Sequence, residues 1–92
     1  MFGLSKETYE KIKSIIEKYE CDFILFGSRA RGDYKSNSDI DIAIENVKEE
    51  DVYKIQNEFD LLDIPYTFDL VFIKENTKNE LLMSIKKEVV KL

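Results

Sequence analysis

The sequence has few of the residues that build covalent cross-links or soft-metal sites. It contains one cysteine, Cys21, and no histidine. A single cysteine excludes a disulfide within the chain, and zinc sites of the usual kind need several cysteine or histidine ligands. Any metal ion that the chain binds must therefore be held by oxygen atoms, chiefly those of Asp and Glu.

Long apolar runs and an excess of positive charge are also missing. No stretch reaches the roughly 18–20 apolar residues of a membrane-spanning helix, and the first residues do not form a secretory signal, so we expect a cytoplasmic protein without membrane contact. Fourteen Lys and Arg stand against 19 Asp and Glu, which gives a net charge of -5. An acidic surface disfavours direct binding of nucleic acid, although a nucleotide can still bind locally through a metal ion.

The length and the apolar periodicity predict one small domain, residues 1–92, with a limited core. Helical spacing of apolar residues predicts helices over 5–19, 49–63 and 77–92. Ser5 is placed to cap the first helix, and Thr77 with Glu80 forms a capping box at the start of the last. Short apolar or alternating runs predict strands over 22–26, 38–45 and 66–73. This order of elements indicates one sheet with helices packed on it.

The stretch FGSRARGDYKSNSDIDIAI, residues 26–44, carries two aspartates one residue apart. At positions i and i+2 of a strand, Asp39 and Asp41 point to the same side with α-carbons about 6.5 Å apart. Like charges this close disfavour joint ionisation, and a divalent cation removes the conflict. Asp69, in the last predicted strand, becomes a third ligand if that strand lies beside the first pair.

Each of these acids alone also has an ordinary explanation. Asp39 could simply begin the strand, and Asp69 could be a partly exposed charge at a sheet edge. The combination is harder to explain in this way, because burying unpaired charges in the apolar strands of a small core costs free energy. We therefore favour a site for Mg²⁺, with Mn²⁺ as a substitute, over solvated charges.

The turn after the first predicted strand suggests phosphate binding. Gly27 permits a sharp bend and close approach of the backbone to a ligand, and the hydroxyl of Ser28 can meet phosphate oxygens. Arg29 and Arg31 add cations that can fork onto phosphate. A plain turn with two solvated arginines explains the same residues, and which arginine contacts phosphate stays open.

Together, a Gly-Ser pair, ten intervening residues and Asp-x-Asp resemble the signature of minimal nucleotidyltransferases in the DNA polymerase beta superfamily. The apolar strand before Gly27, the arginines, Gly32 and Asp69 are also similar to that family. The resemblance covers nearly the whole chain. It implies an α/β (α+β) nucleotidyltransferase fold, with a small mixed β-sheet of about three or more strands flanked by helices.

The resemblance also implies roles for single residues. The catalytic and metal-binding set is Asp39, Asp41 and Asp69, with Asp69 also helping to activate the attacking hydroxyl. The nucleotide-binding set is Gly27, Ser28, Arg29, Arg31 and Ser38. The implied reaction is attack of a hydroxyl on the α-phosphorus of ATP with departure of pyrophosphate, supported by one or two Mg²⁺ ions.

Larger relatives carry a second domain for the acceptor, so we expect a separate protein to present the acceptor here. Minimal members resemble antitoxins that transfer AMP to a tyrosine of a HEPN-domain ribonuclease toxin, which is the leading hypothesis. One alternative is a module that binds nucleotide and partner without turnover. Another is transfer to a small-molecule or RNA hydroxyl with a helical companion subunit. The apolar stripe over 81–90 suggests a homodimer or partner contact.

Overall fold

The computed structural model describes residues 2–74, Met83 and residues 89–92. The elements of this part of the chain are, in order, α1 (Lys6–Ile16), β1 (Asp22–Phe26), α2 (Ser28–Arg31), β2 (Ile40–Glu45), α3 (Glu49–Asp60), β3 (Phe68–Phe72) and β4 (Val90–Lys91). No helix in these described ranges is long and apolar enough to cross a membrane.

The two longer helices form where the apolar spacing predicts them. The side chain of Ser5 accepts a hydrogen bond of 3.1 Å from the backbone N–H of Thr8, which confirms the predicted cap of α1. Ile12 and Ile15 of α1 and Ile55 of α3 are buried, so each helix turns its apolar stripe to the core.

The strands form one mixed sheet in the order β3-β2-β1-β4. Strand β1 pairs antiparallel with β2 and with β4, whereas β2 pairs parallel with β3. A parallel neighbour needs a crossover connection, and α3 supplies it between β2 and β3. The α/β fold with a small mixed sheet flanked by helices is thereby confirmed.

Strand β2 is central and has two different faces. Ile40, Ile42 and Ile44 are fully buried in the same core cluster as the apolar residues of α1 and α3. Because side chains alternate along a strand, Asp41 and Ala43 lie on the opposite face. The two helices that cover the isoleucine face are also joined to each other, because the hydroxyl of Tyr19, which follows α1, donates a hydrogen bond to Glu58 of α3.

Several boundaries differ from the sequence predictions. Helices α1 and α3 end at Ile16 and Asp60, before the predicted residues 19 and 63, and β3 is shorter at both ends than the predicted 66–73. The turn after β1 continues into the one-turn helix α2, and β2 begins at Ile40, so Asp39 precedes the strand. The prediction that the last helix runs to residue 92 is wrong at its end, because Val90 pairs with Leu25 in the sheet. Met83 is helical, whereas the capping box and the rest of 77–88 lie outside the described residues.

Candidate active site

The three aspartates of the predicted metal site come together at one end of the sheet. In the parallel pairing of β2 with β3, Asp41 lies directly opposite Asp69, so both side chains occupy the same face. Asp39 stands two residues before Asp41, just ahead of the strand. Asp39 and Asp69 are exposed, and Asp41 is half-buried. The structure therefore places the carboxylates of Asp39 and Asp69 near the partly buried one of Asp41.

The surroundings of Asp41 are electrostatically unfavourable for a carboxylate. Its pKa is raised above the ordinary value, first by burial and then by the negative charges of Asp69 and Asp39. Arg31 acts in the opposite direction and lowers the pKa of Asp41, but burial and the two acids outweigh it. A divalent cation beside Asp41 would offset this unfavourable negative charge.

The three aspartates supply the oxygen ligands that a hard divalent cation prefers, although they do not form a closed three-ligand site in this structure. Among the residues that the structure describes, no three acidic or sulfur ligands surround one point closely enough to hold a metal ion. Magnesium commonly takes one or two carboxylates and fills its remaining positions with water and substrate phosphate. Oxygen ligands from Asp39, Asp41 and Asp69 have that chemistry, and a cation would relieve the repulsion that raises the pKa of Asp41.

Gly27 brings the turn after β1 against this acidic group. It has φ +76° and ψ -158°, a conformation that residues with a side chain rarely adopt. A β-carbon at this position would collide with the carboxylate of Asp41, whose Cγ would lie 3.1 Å away. Glycine is therefore required for two reasons, the backbone angle and the space that Asp41 occupies.

The turn itself is a single turn of helix. The backbone N–H of Arg31 donates to the carbonyl of Gly27 at 3.1 Å, and the N–H of Gly32 donates to the carbonyl of Ser28 at 2.9 Å. Gly32 ends the helix in the left-handed region, with φ +92°. The first N–H groups of any helix have no acceptor within it, so those beginning at Ser28 have no partner inside α2.

The two arginines of the motif have opposite surroundings. Arg31 is exposed, and its Nε lies 3.4 Å from Oδ2 of Asp33. Arg29 is 1% exposed, and its guanidinium donates to the carbonyls of Ser38 and Phe2. Arg31 is thus the arginine that a phosphate can reach from solvent. Phosphate contact by Arg29 stays a prediction that would have to use the N–H groups left over from these bonds.

Ser38 is held in the loop before Asp39. Its hydroxyl oxygen accepts a hydrogen bond of 2.8 Å from the N–H of Lys35, and its own N–H donates to the carbonyl of Lys35 at 3.0 Å. The hydroxyl therefore stabilises the loop, and nucleotide binding by Ser38 also stays a prediction. Sequence reasoning missed Tyr34 and Tyr66, whose rings flank the guanidinium of Arg29. No local pattern signals the contact with Tyr66, because it comes from a distant segment of the chain.

Comparison with known proteins identifies the family of the chain. A sequence profile described as polymerase beta nucleotidyltransferase matches residues 10–92. The chain belongs to the polymerase beta-type nucleotidyltransferase family. A solved structure of a protein assigned as a nucleotidyltransferase, from Sulfolobus solfataricus, superposes on this nucleotidyltransferase with a TM-score of 0.52 and 24% identity. The alignment covers 94% of this chain and 76% of that one, and it supports the fold. The comparison with curated proteins finds no significant match.

Proposed function

We propose that this nucleotidyltransferase transfers AMP from ATP to a tyrosine hydroxyl of a partner protein, as the antitoxin of a HEPN-domain ribonuclease toxin. The observation that carries the transfer chemistry is the grouping of Asp39 and Asp69 around Asp41, next to Gly27. The protein acceptor and the antitoxin role are supported by the resemblance of the motif to minimal members of the family.

The nucleotide would bind along the turn that begins at Gly27. Backbone N–H groups and the hydroxyl of Ser28 would take the β and γ phosphates, and exposed Arg31 would add a fixed positive charge. Asp39 and Asp41, with Asp69 as third ligand, would hold Mg²⁺ or Mn²⁺, which when bound neutralises charge on the α-phosphate and the departing pyrophosphate.

The reaction is then a single displacement at phosphorus. The acceptor oxygen forms a bond to the α-phosphorus while the bond from that phosphorus to the bridging oxygen breaks, and pyrophosphate leaves. Asp69 accepts the proton of the acceptor hydroxyl. This role suits its exposed position opposite Asp41, since an incoming hydroxyl can approach it from solvent.

The charge of the chain supports a protein acceptor. A net charge of -5 opposes binding of RNA, whose phosphates are also negative. The same charge favours docking to a basic surface, which a ribonuclease needs in order to bind its own substrate. A HEPN-domain toxin therefore matches the electrostatics better than an RNA acceptor does.

The test is transfer of label from nucleotide to an unknown acceptor. Purified protein is incubated with MgCl₂, a lysate of its source cells and each of the four α-labelled nucleoside triphosphates in turn. The control is a double variant, Asp39→Asn with Asp41→Asn. We expect label from ATP on one protein band with the wild type alone, and the band is then identified and its labelled residue mapped.

Other outcomes would contradict specific parts of the proposal. Label on RNA or on a small molecule would overturn the protein acceptor and keep nucleotidyl transfer. Label on a protein other than a HEPN-domain toxin would overturn the antitoxin role alone. Absence of label with intact nucleotide binding would support a binding module that neutralises its partner without turnover.

A further inference from the structure

Arg29 is the largest fully buried side chain in the part of the chain that the structure describes. Burying a guanidinium costs free energy unless its charge and its N–H groups are compensated. In the described residues no carboxylate pairs with it; instead Nη1 donates to the carbonyl of Phe2 at 3.0 Å. The rings of Tyr34 and Tyr66 have centroids 5.2 and 4.9 Å from its central carbon, within cation–π range.

Two N–H groups of Arg29 form a fork onto one carbonyl. Its Nε and Nη2 both donate to the carbonyl oxygen of Ser38, at 3.2 and 2.8 Å. That carbonyl belongs to the peptide bond that joins Ser38 to Asp39. The guanidinium thus fixes the plane of the peptide that immediately precedes the first aspartate of the candidate metal site.

Asp39 is held from both sides in this way. After it, Ile40 is fully buried, and its N–H donates to the carbonyl of Thr67 at 2.8 Å. Before it, Ser38 is fixed by Arg29. An exposed carboxylate therefore projects from a backbone that is fixed on each side, which is the arrangement expected of a preorganised ligand.

Arg29 also connects the two halves of the signature. These halves are the Gly-Ser pair and the Asp-x-Asp pair. Arg29 follows Ser28 directly in α2, and Gly27, which precedes Ser28, lies against Asp41. Gly27 therefore sets the distance from the phosphate turn to Asp41, and Arg29 sets the distance from the same turn to Asp39. The five residues between Gly32 and Ser38 are exposed and do not provide this connection through the core.

We infer that Arg29 is a positioning residue, which fixes Asp39 relative to the phosphate-binding turn and so sets the affinity of the site for Mg²⁺. The inference rests on the proposed nucleotide and metal binding, but not on the nature of the acceptor. It differs from the simpler expectation that Arg29 contacts phosphate, and the two predict different dependences on Mg²⁺.

The experiment measures binding of α,β-methylene-ATP, which cannot be cleaved at the α-phosphorus, over a series of MgCl₂ concentrations. The main variant is Arg29→Lys, because lysine keeps the charge but cannot form the fork. We expect the Mg²⁺ concentration for half-maximal binding to rise roughly tenfold to a hundredfold, the range typical for partners that orient metal ligands. At saturating Mg²⁺ the affinity for the analogue should return to within about threefold of the wild type.

The matched control is Phe23→Leu, a core change at the end of the sheet away from the carboxylates, where Phe23 pairs with Ile44. Its melting temperature should fall, but its half-saturating Mg²⁺ concentration should equal that of the wild type. If Arg29→Lys does not fold, Tyr34→Ala decides instead, because it removes one aromatic face from the guanidinium and should raise the Mg²⁺ requirement by a smaller factor.

Three results would overturn the inference. An unchanged Mg²⁺ requirement in folded Arg29→Lys, or in Tyr34→Ala where that variant decides, would mean that Arg29 only stabilises the fold. An affinity for the analogue that stays weak at saturating Mg²⁺ would indicate direct contact of Arg29 with phosphate. A rise of equal size in Phe23→Leu would make the effect nonspecific. Absence of analogue binding to the wild type would instead contradict the proposed function itself.

Discussion

The two faces of β2 divide the molecule into a region that stabilises the fold and a region that carries the chemistry. On the helical face, Ile40, Ile42 and Ile44 are fully buried against a common core. On the other face, Asp41 lies opposite Asp69 and its pKa is raised by burial and by neighbouring charge. Because side chains alternate along a strand, one segment can serve both purposes, and changes on each face should have separable effects.

The largest difference between the effect on transfer and the effect on stability is expected from Asp39→Asn combined with Asp41→Asn. Loss of the charged ligands should reduce nucleotidyl transfer by at least about a thousandfold, equivalent to about 4 kcal/mol of the barrier. Without divalent cations the variant should be at least as stable as the wild type, because it removes a partly buried charge and the repulsion around it. Transfer assays and melting curves check both. Full activity in the folded variant would contradict the assignment of the site.

The opposite pattern, a loss of stability with transfer retained, is expected from Ile44→Ala on the helical face. A buried isoleucine replaced by alanine should lower the free energy of unfolding by about 3 kcal/mol, because it loses apolar burial and leaves a cavity. Urea denaturation measures this loss. Transfer per folded molecule should stay close to the wild-type rate. A rate that falls as steeply as in the aspartate variant would show that the two faces are not separable.

Gly27→Ala should have an intermediate effect on both stability and nucleotidyl transfer. The positive φ and the collision with Asp41 should together cost about 2 kcal/mol of stability. Since relief of the collision moves the Asp41 carboxylate, transfer should also fall. Denaturation and transfer assays are compared with those of Gly32→Ala, where φ is also positive but the added β-carbon meets open space. Equal transfer in both variants would argue against the close approach of Gly27 to Asp41.

The smallest expected effect is a difference in pH dependence between the two faces. Burial and like charges raise the pKa of Asp41, whereas hydrogen bonds from Lys18 and Tyr19 lower the pKa of Glu58. The Asp41 contribution should make the free energy of unfolding fall as pH rises from its unfolded pKa through its raised folded pKa. The Glu58 contribution, less than about 1 kcal/mol, is present above its unfolded pKa and is lost as pH falls through its lower folded pKa.

Single variants separate these opposite slopes. In EDTA, Asp41→Asn should remove the fall in stability with rising pH, and Glu58→Gln should remove the loss of stability at acid pH. Unfolding is measured from pH 3 upward. Slopes of the same sign for the two residues would contradict the comparison between the faces.

Much of the fold was predictable because its signals are local. The cap at Ser5, the apolar spacing of α1 and α3 and the short apolar run of β1 each depend on a few neighbouring residues. The proximity of Asp69 to Asp41 was predicted only on the condition that the two strands are neighbours, and the parallel pairing of β2 with β3 meets that condition.

The remaining features depend on distant contacts. A single turn such as α2 is too short to show helical periodicity, and the two residues of β4 form a strand only because β1 offers an open edge. The burial of Arg29 needs Phe2, Tyr34 and Tyr66 from three separate segments. The cytoplasmic location, the extent of the single domain and a homodimer contact stay predictions.

The most direct test of the central claim is a crystal structure of the protein with Mn²⁺ and α,β-methylene-ATP, because Mn²⁺ can be located by its anomalous scattering. We predict Mn²⁺ bound by Asp39 and Asp41 beside Asp69, with the β and γ phosphates against Gly27 and Ser28. Mn²⁺ or phosphate bound elsewhere on the chain, with these aspartates left in solvent, would contradict it.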